Sequence, residues 1–271
     1  MSDQGTIQPR AKGAIRLSTK QLGKKSVLGD LRQSGSFKCL FPRAETDGLD
    51  AVLLNTAGGV TGGDSFRFTG KAVLGTTLTL TTQACERVYK AHPGQYGQVT
   101  NHLTVEAGAR MNWLPQEAIL FNGSALDRRL LVEMAADATV LLVEPMVFGR
   151  AAMGETLTDT LLHDRIEIIQ DGLPVFLDSI RFAGDLHTHL SKPSIASGAG
   201  AMALIVLVSA DAEGKLNTVR QMLSKHAGAS LIRKDLLVIR MLAETSLALR
   251  RVLLPVLRHL NNDTLPRCWM L

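Results

Sequence analysis

Over its first two thirds the chain alternates apolar and polar residues with the two-residue period of half-buried strands. Leu74, Leu78 and Leu80 interleave with Thr77, Thr79 and Thr81, and Leu103 and Val105 with His102 and Thr104. Shorter β-branched or leucine-rich runs follow at 130–132, 140–143, 165–169 and 175–181, punctuated by turn pairs such as Asn122-Gly123 and Asp171-Gly172. Three small-residue turns each launch a strand: Leu74-Gly75-Thr76-Thr77-Leu78, Ala107-Gly108-Ala109-Arg110-Met111 and Ala136-Asp137-Ala138-Thr139-Val140. Their starts lie 33 residues apart (74 to 107) and then 29 (107 to 136), the range in which one supersecondary unit stacks on the next. The pattern predicts a mainly β chain of stacked or solenoid-like layers.

The period changes after Asp211. Leu216, Val219, Leu223 and Ala227 recur at helical spacing, and Gly228 follows where a helix ends on a left-handed residue. A strand-like run at 236–241 leads to a second helical segment at 244–260, which Thr245 can cap and in which Leu247, Leu254 and Leu257 form a stripe. Pro255 removes a backbone donor there and predicts a kink or a break. No proline- or serine-rich linker intervenes, and 193–200 is the loosest stretch. Residues 1–271 therefore read as one domain, β-rich over 1–210 and mixed, with two C-terminal α-helices, over 211–271.

Charge narrows the partners. The 30 basic and 25 acidic residues leave a net +5 with no basic block longer than Lys24-Lys25 or Arg250-Arg251, and aromatics are only 4%. Nucleic acid is not indicated. Cys39, Cys85 and Cys268 are odd in number and form no C-x-x-C pair, which suggests neither a disulfide framework nor a zinc knuckle and points to a reducing compartment. Residues 1–8 lack the apolar core of a signal peptide, and the longest apolar stretch, 199–208, is half a membrane span. A soluble, cytoplasmic protein without a membrane partner is expected.

The densest local signal is Gly58-Gly59-Val60-Thr61-Gly62-Gly63-Asp64. Glycine reaches positive φ freely, so Gly58, Gly59, Gly62 and Gly63 imply unusual dihedrals or a close backbone approach. A phosphate loop needs lysine and a hydroxyl where Asp64 stands, and a dinucleotide fingerprint needs glycine where Val60 stands. The strand-like 65–69 that follows offers no helix N-terminus to an anion. His187-Thr188-His189, with Asp185 upstream, would start a metal site if carried on a strand, yet in a loop-like context a solvated polar edge is the preferred reading. Cys85 sits beside Glu86 and Arg87, and an adjacent cation favours thiolate; a buried, inert cysteine is the competing reading. No G-x-S-x-G occurs. Polar residues recur at strand ends: Glu86, Gln116, Glu117, Glu144 and, beyond Gly149-Arg150, Glu155. In a layered β fold such positions either line one polar seam or simply face solvent.

Asn55-Thr56-Ala57 leading into the glycine loop, Thr81-Thr82-Gln83-Ala84 with Arg87-Val88-Tyr89-Lys90, Trp113-Leu114-Pro115-Gln116-Glu117 with Phe121, and Leu265-Pro266-Arg267-Cys268-Trp269 together resemble the UreD (UreH) family of urease accessory proteins. The resemblance spans nearly the whole chain in order. It implies an irregular β-helix-like stack with two helices toward the C-terminus. It also implies a non-enzymatic chaperone that binds urease apoprotein, recruits a UreF-type protein and, through it, the GTP-hydrolysing UreG-type protein, and helps install nickel.

A conduit must release its ion. Thiolate and imidazole cages bind with about 10–16 kcal/mol and would retain it, and nickel favours nitrogen and sulfur ligands strongly. The expectation is therefore no stable cofactor and only transient nickel. Asp64, Glu86, Gln116, Glu117, Glu144 and Glu155 are the candidates for a polar path, and the C-terminal helices for the UreF-type interface. A hydrolase using Asp185, His187 and His189 is the alternative.

Overall fold

The computed structural model describes residues 9–43 and 45–270. Two sheets face each other. The first has seven strands: β1 (Lys12–Leu22), β2 (Lys25–Gly35), β5 (Ser65–Ala72), β8 (Gly97–Val105), β11 (Ala125–Met134), β13 (Thr160–Gln170) and β14 (Leu173–Gly184), in the order β14-β13-β11-β8-β5-β1-β2. The second runs β16-β17-β15-β12-β9-β6-β4-β3. Its strands are β3 (Phe37–Leu40), β4 (Leu49–Asn55), β6 (Thr77–Thr82), β9 (Arg110–Leu114), β12 (Thr139–Phe148), β15 (Ala201–Val208), β16 (Ala227–Arg233) and β17 (Leu236–Ala243). The short β7 (Glu86–Val88) and β10 (Ala118–Leu120) extend it at one end, parallel to each other, with β10 also parallel to β12.

The chain builds this pair by winding. It passes from β5 in the first sheet to β6 in the second, back to β8, across to β9, and on through β11, β12 and β13, each strand lying parallel to the one a coil earlier. Thr77 pairs with Arg110 and Arg110 with Thr139, separations of 33 (77 to 110) and 29 (110 to 139), the intervals of the sequence repeat. The turns stack as well: Gly75 N donates to Ala107 O at 3.0 Å, Arg110 N to Thr76 O at 2.8 Å and Thr139 N to Ala109 O at 2.9 Å. Leu74, which the alternation groups with the strand, instead tops its turn, 67% exposed. Antiparallel partners at the flanks, β2, β3, β14 and the set β15-β17-β16, end the coil.

Two cores result. Between the sheets lie Leu17, Phe68, Leu80, Leu103, Met111 and Val132 with their neighbours. The outer face of the second sheet is covered by α2 (Ala212–Met222) and α3 (Ser246–Leu260), and there Leu141, Val143, Ile205, Leu249, Leu253 and Trp269 form the second core. Strands β12 and β15 are buried on both faces, β15 reading as a continuous apolar run and β12 as one interrupted by Glu144, whereas β13 keeps its alternation because one of its faces is open.

Local expectations are corrected in the C-terminal third. Helix α2 stops at Met222, since Leu223 is extended (φ −77°, ψ 147°), and Ala227 and Gly228 belong to β16, held against β17. Thr245 does cap α3, its side chain accepting from Ala248 N at 3.1 Å. The buried stripe of α3 is Leu249, Leu253, Val256, Leu257 and Leu260, while Leu247 is exposed. Pro255 does not break the helix: it sits on the exposed face, so the Arg251 carbonyl it leaves without a donor lies on the side open to water. Beyond α3, a short 3-10 turn (Arg267–Trp269) plants Trp269 in the second core, with its Nε1 donating to Leu114 O at 2.9 Å. Among the described residues no helix is long and apolar enough to cross a membrane.

Candidate functional site

The glycine loop joins β4 to β5. Gly58, Gly59 and Gly63 have positive φ, but Gly62 does not, so the dihedral expectation fails for Gly62 and crowding takes its place. A Cβ on Gly62 would stand 2.8 Å from both the Ala91 and Gln95 side chains. At Gly59 (φ 154°) a Cβ would lie 2.6 Å from Arg87 O and against the Tyr89 ring. The loop is thus packed tightly onto 87–95. Asp64 fastens its end, Oδ1 accepting from Ala11 N at 2.8 Å and Oδ2 from Thr61 N at 2.9 Å.

Beneath the loop, between the sheets, lies a cavity of about 300 Å³. Its polar wall is formed by Asn55, Glu86, Asn101, Gln116, Arg128 and Glu144. Arg128 on β11 and Asp164 on β13 are register partners and form a bidentate pair, Nε to Oδ1 at 2.9 Å and Nη2 to Oδ2 at 2.6 Å. The remaining terminal nitrogen, Nη1, is 2.6 Å from Glu144 Oε2, and Trp113 Nε1 donates to Glu144 Oε1 at 2.7 Å. Two carboxylates thus share one buried guanidinium. Burial would lower the Arg128 pKa, but Asp164 and Glu144 outweigh it and raise it. Burial pushes the Glu144 carboxyl above its ordinary range, with Arg128 opposing and Asp164 reinforcing the shift.

Glu86 borders the same cavity with much weaker support. Asn55 Nδ2 approaches its oxygens at only 3.3 and 3.4 Å while donating to Gly59 O at 2.8 Å. Burial pushes Glu86 up to about 7, against the Asn55 hydrogen bond that lowers it. Glu86 is therefore a carboxyl that changes charge near neutrality.

Gln116 and Glu117 sit in the β9–β10 connection, both buried. Arg250 of α3 donates through Nη1 to Gln116 Oε1 at 2.9 Å and to Glu117 Oε1 and Oε2 at 3.0 and 3.1 Å. Ser246 Oγ adds a 3.3 Å bond to Glu117 Oε1. Glu117 is thus turned toward the helix, and only Gln116 of the two lines the cavity.

Glu155 stands apart from the cavity. Both of its oxygens are held by Arg150, Nε to Oε2 at 2.9 Å and Nη2 to Oε1 at 3.0 Å, and it also accepts from Arg150 N and Asn122 N. These bonds, those from the Arg150 side chain foremost, bring its pKa down to about 2. The structure thus gathers Glu86, Gln116 and Glu144 on one cavity, places Glu117 behind it, and uses Asp64 and Glu155 to fasten loops.

The H-x-H segment is not on a strand. His187 and His189 lie on the short helix α1 (Leu186–Ser191), where two positions differ by about 200° of rotation. Asp185 caps that helix, accepting from Thr188 N and Thr188 Oγ1 at 2.8 Å each, and the His189 ring packs edge-on against Phe182. Among the described residues no three His, Cys, Asp or Glu side chains converge as a metal site requires. Burial pushes the Cys39 thiol up to about 12, leaving it inert, while Cys85 borders the cavity.

Sequence reading missed Arg128, Asp164, Asn55 and Arg250. For the first two a signal exists: each occupies the inward phase of its strand, Arg128 between Leu126 and Leu130 and Asp164 between Leu162 and Ile166. A charge in the apolar phase marks a buried ion pair.

Fold and site together define a β-solenoid scaffold built around a small polar cavity. The profile of the UreD urease accessory protein family matches residues 11–270, and the chain belongs to that family. It is 59% identical over 255 residues to the urease accessory protein UreD of Ruegeria pomeroyi, which covers 94% of this chain and 99% of that protein. The UreD protein of Roseobacter denitrificans is 49% identical over 264 residues, covering 97% and 96% respectively. That of Sinorhizobium medicae is 40% identical over 278 aligned positions, spanning both chains in full.

Proposed function

We propose that this protein is a non-catalytic, cytoplasmic chaperone of urease maturation. In this reading it binds urease apoprotein, engages a UreF-type partner through the outer face of α2 and α3, and through it a UreG-type protein that hydrolyses GTP. Nickel is cargo, passing the cavity on its way to the urease active site. The observation that carries the reading is the pairing, on one inter-sheet cavity, of a loosely supported carboxyl, Glu86, with the buried Glu144.

The chemistry suits transit. Oxygen donors hold nickel more weakly than imidazole or thiolate, and Glu144 is already committed to Arg128 and Trp113. An ion entering the cavity would meet one carboxylate free to rearrange, and would be released as readily. Because Glu86 must be ionised to act, transfer should decline as pH falls through about 7.

The test compares Glu86→Gln with Glu155→Gln in urease activation, with assembly checked by co-purification with urease apoprotein and the UreF-type partner. The first variant should lower urease nickel content and activity while leaving the complex intact; the second should not. Normal nickel loading with Glu86→Gln would remove Glu86 from the path.

A further inference from the structure

Among the described residues no helix covers the outer face of the first sheet. Arg67, Thr100, Arg129, Arg165 and Ser179 are successive register partners on β5, β8, β11, β13 and β14, and all five are exposed. They form one row across that face. Arg129 and Arg165 are direct neighbours, about 4.8 Å apart at the backbone, and like charges so placed weaken a sheet. Each has an acid of its own strand for relief, Asp127 at 3.4 Å from Arg129 and Glu167 at 3.1 Å from Arg165. The adjoining rows add Arg16 beside Arg32 and, on the other side, Arg181. Among the described residues Arg16, Arg32, Arg67 and Arg181 take part in no ion pair.

The row backs onto the cavity. Phe66, Val99, Asn101 and Arg128 line the cavity, and Arg67, Thr100 and Arg129 alternate with them along the same strands. The face spans roughly 24 Å across the six strands from β1 to β14 and roughly 30 Å along them. That is roughly 700 Å², close to the ~800 Å² that each partner gives to a standard protein interface. Arginine presents a planar fork that matches carboxylates. Leu131 and the 55% exposed Leu177, register partners of Glu167 in the next row, add apolar contact. Nucleic acid fits poorly: Phe66, Phe68, Phe176 and Phe182 of these strands pack inward, leaving no ring to stack a base, and Asp127, Glu133 and Glu167 would repel phosphates.

We infer that this arginine row is the docking surface for an acidic protein face, which in the chaperone reading is that of urease apoprotein. The assignment rests on that reading and gives its two partners separate faces. The outer face of α2 and α3, on the second sheet, serves the UreF-type protein. The outer face of the first sheet lies on the opposite side of the sandwich, so both partners are held at once without competing. Carboxylates of the partner relieve the repulsion that Arg129 and Arg165 retain in the free chain.

The test is the affinity of immobilised urease apoprotein for the full chain in complex with its UreF-type partner, read by biolayer interferometry. Arg129→Glu/Arg165→Glu should weaken it about 30-fold or more, while the UreF-type partner still co-purifies in full amount. Both side chains are exposed, and replacing such residues leaves a fold intact. Raised salt should weaken the wild type more steeply than the variant. Undiminished affinity in a variant that keeps its UreF-type partner overturns the inference, as does an equal salt dependence. Should the double variant fail to fold, Arg67→Glu, at a side chain with no ion pair to lose, should weaken binding about fivefold, and no loss there would equally overturn it. The chaperone reading fails differently. If the wild type with its UreF-type partner captures no urease apoprotein, that reading falls and this docking surface with it; capture that ignores the arginines sinks the docking surface alone.

Discussion

Glu155 and Glu86 are glutamates beside turns at the same end of the stacked strands, and their surroundings drive them in opposite directions. Glu155 receives four hydrogen bonds from Arg150 and Asn122 and is held down to about 2; Glu86 has one long side-chain donor, Asn55 Nδ2, and the Arg87 backbone, and burial pushes it up to about 7. The loop carboxylates, Asp64 and Glu155, are saturated with donors and therefore structural. On the cavity, Glu86 is short of donors, whereas Glu144 shares the Arg128 cation with Asp164 and accepts from Trp113. Position at a strand end does not separate the two kinds; the count of donors does.

That contrast can be broken most forcefully at Arg128. Arg128→Met leaves Glu144 and Asp164 buried without their cation and should cost about 3–5 kcal/mol in urea unfolding. A loss under 1 kcal/mol would show that the two carboxyls take up protons without strain and that the guanidinium is dispensable.

The loop side is probed next. Gly59→Val drives a branched side chain into Arg87 O and Tyr89 and should cost about 2–3 kcal/mol. Gly62→Val should behave similarly although its φ is ordinary, and a harmless Gly62→Val would refute the crowding argument.

The pH dependence of Glu86 sharpens the contrast further. Its folded pKa is raised, so the stability it contributes is fully present below the unfolded value of 4.5 and is lost as pH rises through about 7. Relative to Glu86→Gln, the wild-type protein should gain about 2 kcal/mol on going from about pH 8.5 to about 5.5. A parallel pH profile for the two proteins would mean that Glu86 is not desolvated.

The smallest effect belongs to Glu155→Gln, about 1 kcal/mol. Glu155's depressed pKa gives stability that is present above its unfolded value of 4.5 and lost only as pH falls through about 2. Its difference from wild type should therefore stay constant over the window in which Glu86 titrates, and a slope there would mean that the Arg150 clamp is loose.

The coil itself is legible in the chain because stacking repeats a turn at fixed spacing: Gly75, Gly108 and Asp137 occupy successive turns of the column that the register of β6, β9 and β12 confirms. Helix α3 is legible from its cap. Helix α2 is overextended because Leu223 and Ala227 continue a helical apolar spacing while the pairing of β16 with β17 decides their backbone. His187 and His189 suggest a metal pair only on the assumption of a strand, and the Asp185 cap selects helix instead.

What the sequence determined by itself is the architecture: a two-residue apolar alternation, interrupted at repeating intervals by small turn residues, has few ways to bury its apolar face other than stacked sheets. Which of its carboxylates are spent and which remain available was decided only by the tertiary structure. Glu86, Glu144 and Glu155 are alike in covalent chemistry and similar in local context. Their protonation and partners depend on Asn55, Arg128 with Trp113, and Arg150. Asn55 and Arg128 come from other strands or coils, which the folded stack alone brings within hydrogen-bonding distance.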